Sequence, residues 1–413
     1  MANKWLYIDS NVGSNVNSYG GGTSTNYNGI EIQASNTFPI ETQVNVKTNT
    51  DYTIDDGYIK VPSNNVDNAS TIRFRDDATD VGPNISVAAN TTGTFEDSTS
   101  ASIASGSLVN WNLTIGAGAH GDAITVSILS GILSDTAGGK PVYQANHVGT
   151  LGIVAQATTE YFAVKGNFSL NELLETNVKY KIRYASTFSN LLIDISDNTV
   201  SATSTATLRD DAADTSLVAS ITADTTGTFE DNSNTASVAS GSDIDYEITG
   251  GIDAMGGNLN TRFLNMTSTA TSSNVVASSL SSARNFGTTV YIPLGGTNIG
   301  STTETNAQSK PRYTVNLKNL FFLISANTID DNTDVTLRVN GADSSLAAQV
   351  ATLTTGVFED TTDTISVAAT DEVNYSFVIG GTLGSITSYN IGVEQLEPVT
   401  ATSIMNMCLM GVG

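Results

Sequence analysis

One hexapeptide motif occurs three times in the chain, and its spacing limits what the chain can fold into more than any other feature. It reads Thr92-Gly93-Thr94-Phe95-Glu96-Asp97, then Thr226-Gly227-Thr228-Phe229-Glu230-Asp231, then Thr355-Gly356-Val357-Phe358-Glu359-Asp360. The phenylalanines lie 134 and then 129 positions apart, and other landmarks keep the same offsets: Glu41-Thr42, Glu175-Thr176 and Glu304-Thr305, and Arg75, Arg209 and Arg338. Chance echoes do not hold a common register, so the 413 residues divide into three tandem modules of ordinary domain size. The offsets place an N-terminal arm at 1–22, repeat 1 at 23–156, repeat 2 at 157–285 and repeat 3 at 286–413. The arm holds a strand candidate, Trp5 to Ile8, and an Asn/Ser/Gly-rich stretch that reads as a linker.

Inside each module the apolar residues alternate. Val109, Trp111, Leu113 and Ile115 form one such series, Ile244, Tyr246 and Ile248 the second, and Val373, Tyr375 and Phe377 the third. That period of two predicts strands with one wet face and one core face. A further strand in each module ends on the repeated arginine and runs into a turn signal: Asp76-Asp77-Ala78, Asp210-Asp211-Ala212 or Asn340-Gly341-Ala342. Other strands are expected at 124–128, 191–195, 217–221 and 321–324, with a helical turn at Ser169 to Glu175. Many short strands and almost no helical periodicity predict an all-β chain of three antiparallel β-sandwich or jelly-roll-like domains.

Composition removes several function classes. With 17 Lys+Arg against 41 Asp+Glu, the formal net charge is −24, which disfavours phosphate-neutralising nucleic-acid binding and basic membrane-surface helices. A single cysteine, Cys408, excludes an intrachain disulfide framework and a thiolate metal cluster. No apolar run reaches the length of a membrane span, and the first residues lack a signal-peptide core, so the expected place of synthesis is the cytoplasm. Nucleophile-elbow, zincin, Walker and dinucleotide fingerprints do not occur at their required spacings. His120 and His147, both in repeat 1 without counterparts, read as loop residues. The expectation is a protein that is not an enzyme and needs no cofactor.

The recurring acids are Asp76, Asp77 and Asp80, Asp210 and Asp211, and the pairs Glu96-Asp97, Glu230-Asp231 and Glu359-Asp360. Three readings stay open for them: solvated or turn-capping charge beside a plugging phenylalanine, salt bridges from Arg75, Arg209 and Arg338 to Glu96, Glu230 and Glu359, or Ca²⁺ sites. Two apolar ends are candidates for assembly contacts. One is Trp5, Leu6, Tyr7 and Ile8; the other is Met405, Met407 and Met410, either a last core strand or a docking tail.

The run Val335-Thr336-Leu337-Arg338-Val339-Asn340-Gly341-Ala342-Asp343, with Thr355-Gly356-Val357-Phe358-Glu359-Asp360 and Val373-Asn374-Tyr375, resembles β-sandwich repeat modules of tailed-bacteriophage virion proteins: head fibres, capsid decoration proteins and tail appendages. It is also similar to trimeric jelly-roll modules of bacterial surface and exosporium glycoproteins. The first resemblance implies a structural protein located in the virion, made in the host cytoplasm and bound to other virion proteins and copies of itself. A signal-independent surface adhesin or carbohydrate-binding protein, with a host-surface glycan as ligand, is the alternative. Junctions without proline or long polar runs imply modules that touch. An extended subunit joining an assembly through its ends is the expectation, with a closed pseudo-trimer as the alternative.

Overall fold

The computed structural model describes residues 4–10, 15–17, 24–28, 41, 45–119, 122–126, 128–134, 142–146, 153–167, 172–252, 256–268, 273–297 and 300–396. The chain is all-β, and the second module shows the plan most plainly. One sheet pairs Val142–Asn146 with Asn258–Ser268, that strand with Ser186–Asn198, and Ser186–Asn198 with Gly227–Val238. The other pairs Thr159–Phe162 with Asp243–Thr249, then Ser204–Asp210, then Ala213–Ile221. Numbered along the chain, the eight strands run 1-8-3-6 in one sheet and 2-7-4-5 in the other, which is a jelly roll. The third module repeats the plan with Ser273–Asn285, Ser385–Leu396, Val315–Asn327 and Gly356–Val367 facing Thr289–Pro293, Val373–Ile379, Thr333–Val339 and Ala342–Val350. In the first module, Lys4–Ser10, Ile128–Ser134 and Tyr52–Val61 form the corresponding sheet.

This pairing moves the module boundaries. The first strand of each jelly roll lies on the far side of the limit drawn from the repeat spacing. Val142–Asn146 and Ile153–Ala155 pair with a second-module strand, Ser273–Asn285 pairs with third-module strands, and Lys4–Ser10 belongs to the first module's sheet rather than to a separate arm. The reason is physical: these opening strands share a register but no residue motif, so only their hydrogen bonding reveals their membership. Similarly, 124–128 is not one strand. Ala123–Thr125 pairs with Asn15–Asn17 and Ser63–Asn64 in a small third sheet, and Ile128 opens the long strand Ile128–Ser134. A 3-10 turn occupies Glu175–Asn177, at the end of the expected helical turn, and a short α-helix occupies Glu304–Ala307 in the third module.

The cores follow the alternation. Trp111, Tyr246 and Tyr375 sit opposite Phe74, Leu208 and Leu337 in the ladders, and all six are fully buried. Phe74 meets Trp111 edge to face at 5.1 Å, an arrangement that adds to the area buried. Each long third strand carries a bulge at an equivalent position, where Asp56, Asn190 and Asn319 take φ of 48°, 55° and 51°. Asp and Asn tolerate the left-handed region better than other residues with a Cβ, and the bulge increases the local twist of the strand.

After the bulge these strands are buried on both faces. Tyr58 and Ile59, Leu191 to Ile195, and Leu320 to Phe322 are almost wholly inaccessible, because one face covers the module's own core and the other covers a neighbour. Tyr58 and Ile128 of the first module pack into the third module's core. Leu192 and Phe263 of the second pack into the first, and Ala277 and Phe321 of the third pack into the second. The three jelly rolls therefore close into a ring, first on second, second on third, third on first. The extended arrangement expected from the junctions is replaced by its alternative, the pseudo-trimer, because these apolar outer faces gain burial only against another module.

Candidate functional site

The repeated arginine sits at a hairpin. Asp77-Ala78, Asp211-Ala212 and Asn340-Gly341 all have positive φ, between 45° and 76°, as a two-residue type I′ turn requires. One side of the guanidinium reaches forward. Arg75 Nη1 donates to Asp80 at 2.7 Å, and Arg209 and Arg338 bond Asp214 and Asp343. Nη2 closes the turn on the carbonyl of Ala78, Ala212 or Gly341. Nε reaches back across the sheet, to Glu41 at 2.7 Å, Glu175 at 3.0 Å and Glu304 at 2.6 Å. Tyr27, Tyr161 and Tyr291 lie under the three guanidinium groups at 5.7–5.9 Å. The arginines thus clamp each module's turn to the segment that precedes its long third strand. The expected bridges from Arg75, Arg209 and Arg338 to Glu96, Glu230 and Glu359 do not form, since those glutamates stand on the edge strand of the opposite sheet.

The Phe-Glu-Asp triplet uses the strand's alternation. Phe95, Phe229 and Phe358 lie opposite Ile59, Ile193 and Phe322 and pack half-buried on their modules' cores. Asp97, Asp231 and Asp360 tie the two sheets together. Their Oδ2 atoms accept the backbone N–H of Asn84, Val218 and Ala347 at 2.7, 2.9 and 3.1 Å, and their Oδ1 atoms accept those of Thr99, Ser233 and Thr362. Burial pushes these carboxyls up, but the N–H bonds outweigh it and hold all three below the ordinary aspartate value.

Between them, Glu96, Glu230 and Glu359 point outward and form ion pairs across the ring. Glu230 meets Lys47 at 3.4 Å, Glu359 meets Arg183 at 2.7 Å, and Glu96 meets Arg312 at 2.5 Å and Lys310 at 3.8 Å. Polar contacts to the neighbour's backbone recur beside them. Asn265 Nδ2 donates to the Lys47 carbonyl at 2.9 Å, Asn390 Nδ2 to that of Lys179 at 3.3 Å, and Lys60 Nζ to that of Gln308 at 3.4 Å. Tyr180 and Phe321 meet edge to face at 5.5 Å in the second seam. An aligned glutamate serves each seam, while the cations and polar donors that complete the contact differ from seam to seam.

The remaining acids go elsewhere. Asp77 and Asp211 accept the N–H of Leu108 and Asp243 across the turn, while Asp76 and Asp210 close the hairpin ladders. The two acidic groups of each module therefore stand on different sheets. Among the described residues, no group of three His, Cys, Asp or Glu is placed to hold a metal ion. Trp5, Leu6, Tyr7 and Ile8 lie in the paired strand Lys4–Ser10. Met405, Met407, Met410, Cys408, His120 and His147 lie outside the described residues.

One position escaped the sequence reading. The faces expected to be wet on the seventh strands are covered: Asn110, Asp245 and Asn374 are fully buried at equivalent places. Asn110 donates to Glu41 at 3.0 Å and Asn45 at 2.6 Å. Asp245 replaces this amide with a carboxyl facing Glu175, the counterpart of Glu41. Its pKa is pushed up to about 9 by burial, then by the charge and hydrogen bond of Glu175, against the pull of Arg209 and Lys179. A buried acid with so high a pKa often marks an active site. Here its register with two asparagines makes it a packing position filled by a neutral acid.

No family model matches the chain, and no curated protein matches it. Among solved structures it is similar to one described as "The Triple Jelly Roll Fold and Turret Assembly in an Archaeal Virus", with 14% identity over 94% of each chain and a TM-score of 0.22. Another, described as "Life in the extremes: atomic structure of Sulfolobus Turreted Icosahedral Virus", shows 14% identity over 95% of this chain and 96% of that one, with a TM-score of 0.21. Scores this low leave the fold to rest on the strand orders given above.

Proposed function

We propose that the chain is a non-enzymatic structural protein of a virus particle: three jelly rolls pre-assembled in one polypeptide, acting by contact with other virion proteins and with copies of itself. The observation that carries this reading is the ring itself. At each seam an aligned apolar residue, Tyr58, Leu192 or Phe321, enters the neighbour's core beside an aligned glutamate that pairs with the neighbour's cation, so the repeated design of the module is directed at packing one jelly roll against another. The repeated charged residues are spent on turns, sheet ties and seams. Within this reading, the resemblance to bacteriophage repeat modules favours a capsid decoration, head fibre or tail component, made in the host cytoplasm.

The experiment is direct. Particles from an infected culture are purified through two density gradients, and the protein is followed by quantitative mass spectrometry and immunogold labelling. A fixed copy number per particle and labelling at one place on the virion are expected. Absence from purified particles would overturn the reading. A glycan array probed with the purified chain addresses the adhesin alternative.

A further inference from the structure

The arginine hairpin of the third module holds a reactive pair that the sister hairpins lack. The chain has two Asn-Gly pairs, Asn28-Gly29 and Asn340-Gly341, and the second forms the exposed tip of the turn after Thr333–Val339, where the sister turns have Asp77-Ala78 and Asp211-Ala212. A glycine, without a Cβ, leaves its own backbone nitrogen open to close approach. The hairpin ladder closes on Val339 and Ala342, so the Gly341 nitrogen stands outside it. One task of this position is common to the three modules. The backbone N–H of Asn340 donates to the Glu372 carbonyl at 2.7 Å and its Oδ1 accepts the Glu372 N–H at 2.9 Å, as Asp77 does with Leu108 and Asp211 with Asp243. The amide answers to its other neighbour. Asn340 Nδ2 donates to Asp371 Oδ1 at 2.8 Å, whereas the residues aligned with Asp371 are Ser107 and Ser242, and Ser242 Oγ donates to Asp211 Oδ2 at 3.2 Å. Aspartate is thus matched with serine in the sister modules and asparagine with aspartate in the third; two carboxylates are matched in none.

We propose that Asn340-Gly341 is a self-modification site held in its amide form by Asp371, and that its conversion to aspartate or isoaspartate uncouples the third module's hairpin from the corner at residues 368–372. The reaction needs water alone. The Gly341 nitrogen gives up its proton and attacks Cγ of Asn340; the new C–N bond forms as the bond to Nδ2 breaks, and Nδ2 leaves as ammonia with that proton. Water then opens the five-membered imide at either carbonyl, its hydroxyl joining the carbon and its proton returning to the nitrogen. The product is an aspartate or an isoaspartate. In the closed turn the bonds at Oδ1 and Nδ2 fix the side chain against the corner, and the attack requires that it swing onto the Gly341 nitrogen. Once formed, the carboxylate faces that of Asp371 where the amide had donated, and like charges at that distance disfavour the closed turn. An isoaspartate also adds a carbon to the main chain ahead of Gly341, which displaces the carbonyl that Arg338 Nη2 holds. This does not depend on the proposed place in a virus particle.

The test uses the purified full-length chain, aged at mildly alkaline pH in buffer and in concentrated urea, with peptide mapping by mass spectrometry to separate Asn340 from Asn28. Conversion at Asn340 is expected to be many-fold faster in urea than in the folded wild type, and several-fold faster in folded Asp371→Ala than in wild type. Hydrogen exchange on peptides covering residues 368–379 reads the consequence, with far-UV circular dichroism as the check on folding. Asn340→Asp is expected to lower protection there, and Asn340→Asp combined with Asp371→Ser, the match used by the second module, to restore it. The proposal is overturned if the folded wild type converts as fast as the unfolded chain, if Asp371→Ala leaves the rate unchanged, if Asn340→Asp is as protected as wild type, or if the double variant is no better protected than Asn340→Asp. Should Asp371→Ala fail to fold, the wild type in buffer and urea still decides the guarding, and exchange in Asn340→Asp the consequence.

Discussion

Replacing Asp245 by asparagine should stabilise the second module. In the folded chain this carboxyl holds its proton up to about pH 9, whereas in the unfolded chain it ionises near its ordinary value of 3.8. At pH 7 the unfolded state is therefore favoured by proton release, and each unit of difference is worth about 1.4 kcal/mol. Between 3.8 and 7 that amounts to at most about 4 kcal/mol. An asparagine has no proton to release and finds a bond ready-made, since Asn110 in the first module donates to Glu41 as the introduced amide would to Glu175. A gain of about 2–3 kcal/mol at pH 7 is expected, with some of the maximum lost to rearrangement around Glu175. The sign of the pH dependence is fixed as well. The native state binds more protons than the unfolded one between about pH 4 and 9, so the wild type loses stability as pH rises through that window, and the variant loses that slope. Native-state hydrogen exchange followed on peptides covering Asp243–Thr249 at pH 5 and pH 8 reads this module alone. If D245N proves no more protected than wild type at pH 8, or if both show the same pH slope, the neutral-acid account of this position is wrong.

Truncating Tyr246 to alanine, fully buried opposite Leu208, should cost about 3–5 kcal/mol by denaturant melts of the second module. Ala212→Gly relieves a left-handed φ of 65° at a position where the third module already has Gly341, and should raise the melting temperature with a gain below about 1 kcal/mol. Asp231→Ala strands the N–H groups of Val218 and Ser233 and should cost about 1–3 kcal/mol near neutrality. The native pKa of Asp231 is depressed, so its contribution is complete above the ordinary aspartate pKa and fades as pH falls through the lower native value; the gap between variant and wild type should shrink in acid melts. Deleting residues 1–10 removes the strand paired with Ile128–Ser134, so the first module should lose exchange protection along that strand; unchanged protection there would contradict the pairing.

Much of the fold was legible because the repeat carried its own register. Trp111, Tyr246 and Tyr375 could be placed in the core from alternation and constant offset, and the Asp-Asp-Ala and Asn-Gly-Ala signals marked true hairpins. The arginine's partner was also within reach: Glu41, Glu175 and Glu304 each precede their arginine by 34 residues, whereas a bridge between neighbouring strands pointed to the Phe-Glu-Asp glutamate instead. The seams had a signal too. Leu191-Leu192-Ile193 and Leu320-Phe321-Phe322-Leu323-Ile324 are unbroken apolar runs, and a strand exposed on one side does not need them. The opening strands of the second and third modules had none, because backbone pairing asks only for register. Nor could alternation show that Asn110, Asp245 and Asn374 are covered, since a polar residue under a salt-bridged loop reads like one facing water.

The joining of three jelly rolls in one chain frees them from having to match. A trimer of separate identical subunits must repeat every surface residue three times, but this polypeptide repeats one apolar residue and one glutamate at each seam and lets other positions drift, seam positions among them. Gly82-Pro83 stands where the sister modules have Ser216-Leu217 and Ser345-Leu346, Asp245 stands between two asparagines, and Lys60 is aligned with Asp194 and Leu323. The molecule thus has the outline of a three-spoked wheel with each spoke separately labelled. Seated on a three-way junction, it would give that junction a direction, so that a neighbour could distinguish left from right where geometry alone offers no choice.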